Sequence, residues 1–95
     1  MSSVLRHNAK QDSNQAAIVR DLEAIGCSVQ MLGKVGGGCP DLLVGFRGMN
    51  VLMEVKNGDT YGKLNQRQRD WHDAWRGQKA VVHNTDEAYF VLGVA

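Results

Sequence analysis

Between Cys39 and Lys56 the chain runs CPDLLVGFRGMNVLMEVK, and three ionisable side chains, Asp41, Glu54 and Lys56, stand there among apolar neighbours. Burying a charge is costly unless it is paired or coordinated, so their company needs a chemical reason. Asp41 opens one apolar run and Glu54 lies near the end of the next. Folding the two runs into an antiparallel hairpin therefore brings both carboxylates to one end. Side chains alternate along a strand, which puts Glu54 and Lys56 on one face and Met53 and Val55 on the other. Two carboxylates in one place suit a hard cation such as Mg²⁺, whose remaining positions are filled by water and substrate phosphate. A neighbouring ammonium can hold a water or a phosphate oxygen, or act as a base if burial lowers its pKa. Phosphodiester hydrolysis needs these parts, because metal and positive charge both stabilise charge developing on the phosphoryl group. The plainer account makes Asp41 a turn residue after Pro40 and makes Glu54 and Lys56 guards of an edge strand. The apolar run Val51 to Met53 argues for an interior strand instead, where unpaired charge is poorly tolerated.

The elements that position these groups follow from periodicity. Asp12-Ser13-Asn14-Gln15 opens a first helix, since Ile18, Val19, Leu22 and Ile25 form one apolar stripe and Gly26 supplies a stop. Asp12 and Gln15 also fit a capping box. Ser28 to Leu32 reads as a short strand. Gly33 to Gly38 is a glycine-rich loop, and it is not a phosphate-cradling P-loop because it lacks the G-K-[ST] ending and leads into a strand. Asp41 to Phe46 and Asn50 to Asn57 are the hairpin strands, joined by an Arg47-Gly48-Met49 turn. A glycine-containing link, Gly58 to Lys63, leads to a helix from about Asn65 to Arg76, anchored by Leu64, Trp71 and Trp75, with Gly77 as its stop. Asn65 and Gln68 fit a second capping box. Lys79 to His83 is a strand, and Asn84 or Thr85 caps a last short helix through Ala88, Tyr89 and Leu92. The order αβββαβα predicts an α/β fold, a small mixed sheet flanked by helices and ending in a short C-terminal helix.

Ninety-five residues, 43% of them hydrophobic and 22% charged, fit one globular domain over residues 1–95, with residues 1–11 expected as a poorly ordered arm. The N-terminus has no signal-peptide run and no stretch is apolar enough to span a bilayer, so the expected compartment is cytoplasmic. Cys27 and Cys39 read as small reduced hydrophobes, and no C-x-x-C or H-x-x-x-H pair prepares a zinc site with His72 and His83. The net charge of +1 decides nothing about partners, but Lys63, Arg67, Arg69, Arg76 and Lys79 outnumber Asp70 and Asp73 after the charged hairpin. Such a surplus marks either a nucleic-acid contact or a solvated helix face.

Several stretches together resemble one family. They are Asp12-x-Asn14-Gln15-x-x-Ile18-Val19, Gly36-Gly37-Gly38-Cys39-Pro40-Asp41-Leu42-Leu43, Glu54-Val55-Lys56, Leu64-x-x-x-Gln68 and Trp71-His72-x-x-Trp75-Arg76-Gly77. Over about residues 12 to 93 the chain resembles the PD-(D/E)xK nucleases, and within them the small stand-alone VRR-NUC domains of phage and prophage origin. The resemblance implies a restriction-endonuclease-like αβββαβ core and a Mg²⁺-dependent endodeoxyribonuclease, with Mn²⁺ able to substitute. It makes Asp41, Glu54 and the Val55 carbonyl the metal ligands and Lys56 the catalytic lysine. Gln68 matches a glutamine near the site and is otherwise the partner in its capping box. Where many relatives carry a glutamate on the first helix, this chain offers Gln15. A glutamine can hydrogen-bond a metal-bound water but compensates less charge, unless Gln15 serves only as the partner of Asp12. Lys34, Gly36, Gly37, Gly38, Lys63 and Arg67 are the candidate DNA contacts, of the phosphate-binding and sequence-tolerant kind. Branched DNA, such as Holliday junctions or flaps, is the implied substrate. Two cuts per junction, together with the small size, imply a homodimer or larger homo-oligomer. The alternative is a DNA-structure-binding module of the same fold with an impaired metal site.

Overall fold

The structure, a computed structural model, describes residues 3–57 and 63–94, with side chains from residue 14 onward. Residues 58–62 of the expected link lie outside it. The elements are α1 (Ser3–Ala24), β1 (Ser28–Met31), β2 (Leu42–Phe46), β3 (Met49–Val55), α2 (Gln66–Ala74), β4 (Lys79–Val82) and α3 (Thr85–Leu92), the order read from the sequence. The four strands form one sheet in the order β1-β2-β3-β4. β1, β2 and β3 are antiparallel neighbours, while β4 joins β3 in parallel. The parallel pairing follows from α2, which carries the chain back across the sheet between the two strands. β3 is therefore interior, with ladders on both sides, as its Val51-Leu52-Met53 run requires.

One face of the sheet carries the core. Leu42, Val44 and Phe46 of β2, Val51 and Met53 of β3, and Val82 of β4 are buried against Ile18, Val19 and Leu22 of α1 and Ala88 and Leu92 of α3. The two helices are fastened to each other as well, since Thr85 Oγ1 donates to the Asp21 carboxylate at 2.6 Å and Tyr89 Oη donates to the Asp21 carbonyl at 3.0 Å. α2 serves the other face, where Glu54 points.

Helix ends account for two departures from the sequence reading. α1 begins at Ser3, so Asp12 and Gln15 lie inside the helix and cannot cap it. Neither glycine nor proline interrupts residues 3–12, so nothing there stops the helix from running through the expected arm. Its other end is a Schellman turn: Cys27 N donates to the Leu22 carbonyl, Gly26 N to the Glu23 carbonyl, and Gly26 takes φ of 97°. In α2 the expected Asn65–Gln68 capping box is present, but Gly77 is not the stop. Trp75 ends the helix in an extended conformation, and the Lys79 ammonium takes the last carbonyls, those of His72 and Trp75.

The β2–β3 turn is also tighter than expected. Phe46 pairs with Met49, leaving Arg47 and Gly48 as a two-residue turn with φ of 50° and 80°. Both central residues are left-handed, as a hairpin of this length demands, and the Arg47 guanidinium rests 4.7 Å above the Phe46 ring. Gly48→Ala should lower stability by about 1 kcal/mol, and Gly48→Asn by clearly less, in urea unfolding at unchanged m-value. Three equal midpoints would show that the left-handed turn does not constrain the hairpin.

Candidate active site

The hairpin register sets the site. Leu42 faces Met53 across the ladder, so Asp41, one step earlier, stands opposite Glu54 on the side of α2. Asp41 has left the ladder, and its side chain takes over the missing pairing: Oδ2 accepts from Val55 N at 2.8 Å, while its carbonyl accepts from Leu32 N at 2.8 Å. Its position is thus tied both to β3 and to the end of β1. Glu54 is buried, at 3% exposure. Its Oε2 accepts from Gln68 Nε2 at 3.1 Å and lies 3.9 Å from Lys56 Nζ, and its Oε1 is buried without a partner among the described residues.

Lys56 is positioned through its backbone. Its N–H donates to the Val82 carbonyl at 3.0 Å, and its carbonyl accepts from Asn14 Nδ2 at 3.3 Å. Its ammonium, largely buried, lies beside Glu54 at the end of a strand fixed on both sides. Burial first, and then the adjacent Asp41 carboxylate, push the Glu54 carboxyl up to about 8, with Lys56 pulling the other way. Two carboxylates forced together, one with an orphaned buried oxygen, make a donor set that a divalent cation fits. Asp41, Glu54 and the Val55 carbonyl are the groups that would hold it. Oxygen donors in small number are what Mg²⁺ takes from protein.

Gln68 combines the two roles that the sequence left open. Its Oε1 accepts from Asn65 N at 3.0 Å in the capping box while its Nε2 holds Glu54. The α2 cap thus aims the amide at the site. Gln15 is elsewhere occupied: its Nε2 lies 3.7 Å from Met31 Sδ, and it makes no hydrogen bond to the carboxylate pair among the described residues. Asn14, its neighbour, reaches the Lys56 carbonyl, a contact no sequence pattern announced. Cys39 also borders the site, for burial and then the charges of Glu54 and Asp41 push its thiol up. Both cysteines are free.

The glycine loop splits in function. Gly36, Gly37 and Gly38 all have positive φ, and a Cβ on Gly36 or Gly37 would point into open space. A Cβ on Gly38 would meet the Arg67 carbonyl oxygen at 2.4 Å. The close approach at Gly38 is therefore to α2 of the same chain. Lys34 is exposed in the turn after β1, and Lys63 and Arg67 are exposed at the start of α2.

The Glu54 environment gives a pH dependence. A carboxyl raised from 4.5 to about 8 binds its proton more tightly in the folded state, so stability is fullest in acid and falls as pH rises from the lower value to the higher. Thermal melts of metal-free protein should show this fall, on the order of a few kcal/mol, and Glu54→Gln should abolish it. A wild-type protein that gains stability over this window relative to Glu54→Gln would contradict the assignment.

No family model matches the sequence, and no curated protein matches it. Among solved structures, a chain described as "VRR_NUC domain" matches with a TM-score of 0.70 and 29% sequence identity, covering 88% of this chain and 95% of that one. The strand order, the hairpin and the helices in place around Asp41, Glu54 and Lys56 agree with that likeness: the chain is similar to a VRR-NUC domain and has the small α/β, restriction-endonuclease-like fold.

Proposed function

We propose that the chain is a divalent-metal-dependent DNA endonuclease that hydrolyses phosphodiester bonds and selects its substrate by DNA structure, with Holliday junctions and flaps as the preferred class. The observation that carries this reading is the buried Glu54 carboxylate, its Oε1 without a partner among the described residues, beside Asp41 and within 3.9 Å of the Lys56 ammonium. A bound Mg²⁺ or Mn²⁺ supplies polarisation of the phosphoryl group and a lower pKa for water. Asp41, Glu54 and the Val55 carbonyl would hold that cation at the end of β3, where the scissile phosphate would meet it. The Lys56 ammonium holds the attacking water or a non-bridging phosphate oxygen, where its charge offsets the negative charge of the transition state. Gln68 fixes the Glu54 carboxylate in the rotamer that presents Oε1. As water adds to phosphorus and gives up its proton to solvent, the P–O ester bond breaks and the leaving alkoxide oxygen takes a proton from solvent.

Lys34, Lys63 and Arg67 supply phosphate contacts on the flanks, and Gly36 and Gly37 leave the loop surface open to a phosphate backbone. A homodimer, placing two such sites on one junction, accounts for paired cuts. Gln15 favours a second reading, a DNA-structure-binding module without turnover, because among the described residues α1 brings no acid to the carboxylate pair and Gln15 itself contacts Met31.

Incubation of the purified protein with labelled four-way junctions, 5′ flaps, 3′ flaps and plain duplex, with Mg²⁺ or with chelator, decides between them. Metal-dependent cuts on the branched substrates are expected, and binding without cuts establishes the second reading. Asp41→Asn keeps an oxygen for Val55 N, so it should retain the fold and DNA binding while losing on the order of a hundredfold or more in rate. Lys56→Ala should lose as much. Near-normal turnover in either variant would remove that residue from the mechanism.

A further inference from the structure

At its N-terminal end α2 touches the site through Gln68, and at its other end it carries an aromatic pair that the hydrolytic chemistry does not use. Trp71 and Trp75 stack with centroids 4.8 Å apart and planes 14° from parallel. Trp75 nevertheless remains 43% exposed. Since Trp71 covers one face of that indole, the exposure lies on the opposite face and the rim. Gly77 sits at the rim, where a Cβ would come within 2.9 Å of Nε1, so glycine lets the chain turn there without displacing the ring. The platform is also fixed from below. Lys79 binds the carbonyls of His72 and Trp75, and the His72 ring meets Trp71 edge-on at 5.3 Å.

Gln68, Trp71 and Trp75 follow one another at i, i+3 and i+7 and so share a stripe of the helix. Seven residues at about 1.5 Å each separate the site from the outer indole by roughly 10 Å. That is roughly three nucleotide steps at the duplex rise of about 3.4 Å per nucleotide, and fewer for an extended unpaired strand. Charge fits the same occupant: Arg67 at one end of the helix and Arg76 beyond the other are exposed, and among the described residues neither is in an ion pair.

We propose that the exposed face of Trp75, backed by Trp71, is a stacking platform for one unpaired nucleobase of the substrate strand, a few nucleotides from the scissile phosphate. The proposal rests on the DNA reading above. It gives structure selectivity a physical source, because a fully paired duplex has no free base face to offer, whereas a flap or an opened junction has one. Stacking on an aromatic side chain accepts any base, in keeping with sequence-tolerant cleavage.

Trp71 and Trp75 are the two tryptophans of the chain, so intrinsic fluorescence reports on this pair alone. The test uses the intact protein with chelator present, which prevents cleavage, and flap duplexes in which each flap nucleotide in turn is replaced by an abasic one. Binding of the intact flap should quench the tryptophans. One abasic position should weaken binding about tenfold and restore the fluorescence. Trp75→Leu should bind the intact flap about tenfold more weakly and become indifferent to that abasic site, while Trp75→Phe keeps most of the sensitivity. If Trp75→Leu fails to fold, the abasic series on the wild type and on Trp75→Phe still decides. Affinity insensitive to every abasic position, or an equal loss in Trp75→Leu for intact and abasic flaps, would overturn the platform while leaving DNA binding intact. So would a Trp75-dependent self-association that hides the indole in a second copy. Failure to bind any of the flaps even at low salt would overturn the DNA reading itself, and this proposal with it.

Discussion

Everything around the site answers to one constraint: a carboxylate, Glu54, is buried at 3% exposure beside a second carboxylate, Asp41, which stands just beyond the end of the β2–β3 ladder. Burial disfavours the ionised form of Glu54, and the Asp41 carboxylate disfavours it further. An apolar residue at position 54 would pack more favourably in an interior strand whose neighbours are Val51, Leu52 and Met53. The fold instead surrounds the carboxylate with single, directional contacts, the Gln68 amide on one oxygen and the Lys56 ammonium near it, and among the described residues leaves the other oxygen without a partner. A local arrangement that opposes stability and is this specifically supported is what a functional site looks like.

Support comes from β3 being interior. Its antiparallel ladder to β2 fixes which residue faces Asp41, and its parallel ladder to β4 extends as far as the Lys56 N–H bonded to Val82. α1 closes the arrangement from the core side, through Asn14 on the Lys56 carbonyl. The lysine backbone is therefore fixed on both sides, and its ammonium is presented to Glu54 from a rigid base. The tight Arg47-Gly48 turn matters here because side chains alternate with period two, and a slip of one residue would send Glu54 to the opposite face.

Much of this was legible in the sequence. The apolar runs flanking Gly48, the acid at the start of one and the Glu-x-Lys at the end of the other are enough to place the carboxylates together, because strand alternation and antiparallel pairing leave little freedom. The Asn65–Gln68 box could be read for the same reason, since both partners are close in sequence. What escaped was long-range or depended on competition. That Gln68 would serve Glu54 as well as its cap depends on where α2 lies over the sheet. The α1 start at Ser3 escaped because Asp12-Ser13-Asn14 looks like a cap until one asks whether anything stops the helix before it. Gly77 looked like a helix stop, but Lys79, two residues on, ends the helix with a side chain rather than a left-handed glycine. Asn14 carries no local signal at all.

Gly38 shows how a glycine expected to admit a ligand can admit the protein itself. With φ of 85° and the Arg67 carbonyl oxygen 2.4 Å from where a Cβ would stand, it is the point at which the loop leading to Asp41 rests on the first turn of α2. The two carboxylates arrive by separate routes: Asp41 comes from this loop, through Cys39 and Pro40, and Glu54 from β3, under the control of Gln68 on α2. The loop and the helix meet at Gly38 and Arg67, one residue before Gln68. A side chain there would push the helix from the loop, and with it the amide that holds Glu54 from the strand end that holds Asp41. The distance between the carboxylates thus depends on a backbone contact outside the pair, and glycine at position 38 is the condition for that contact.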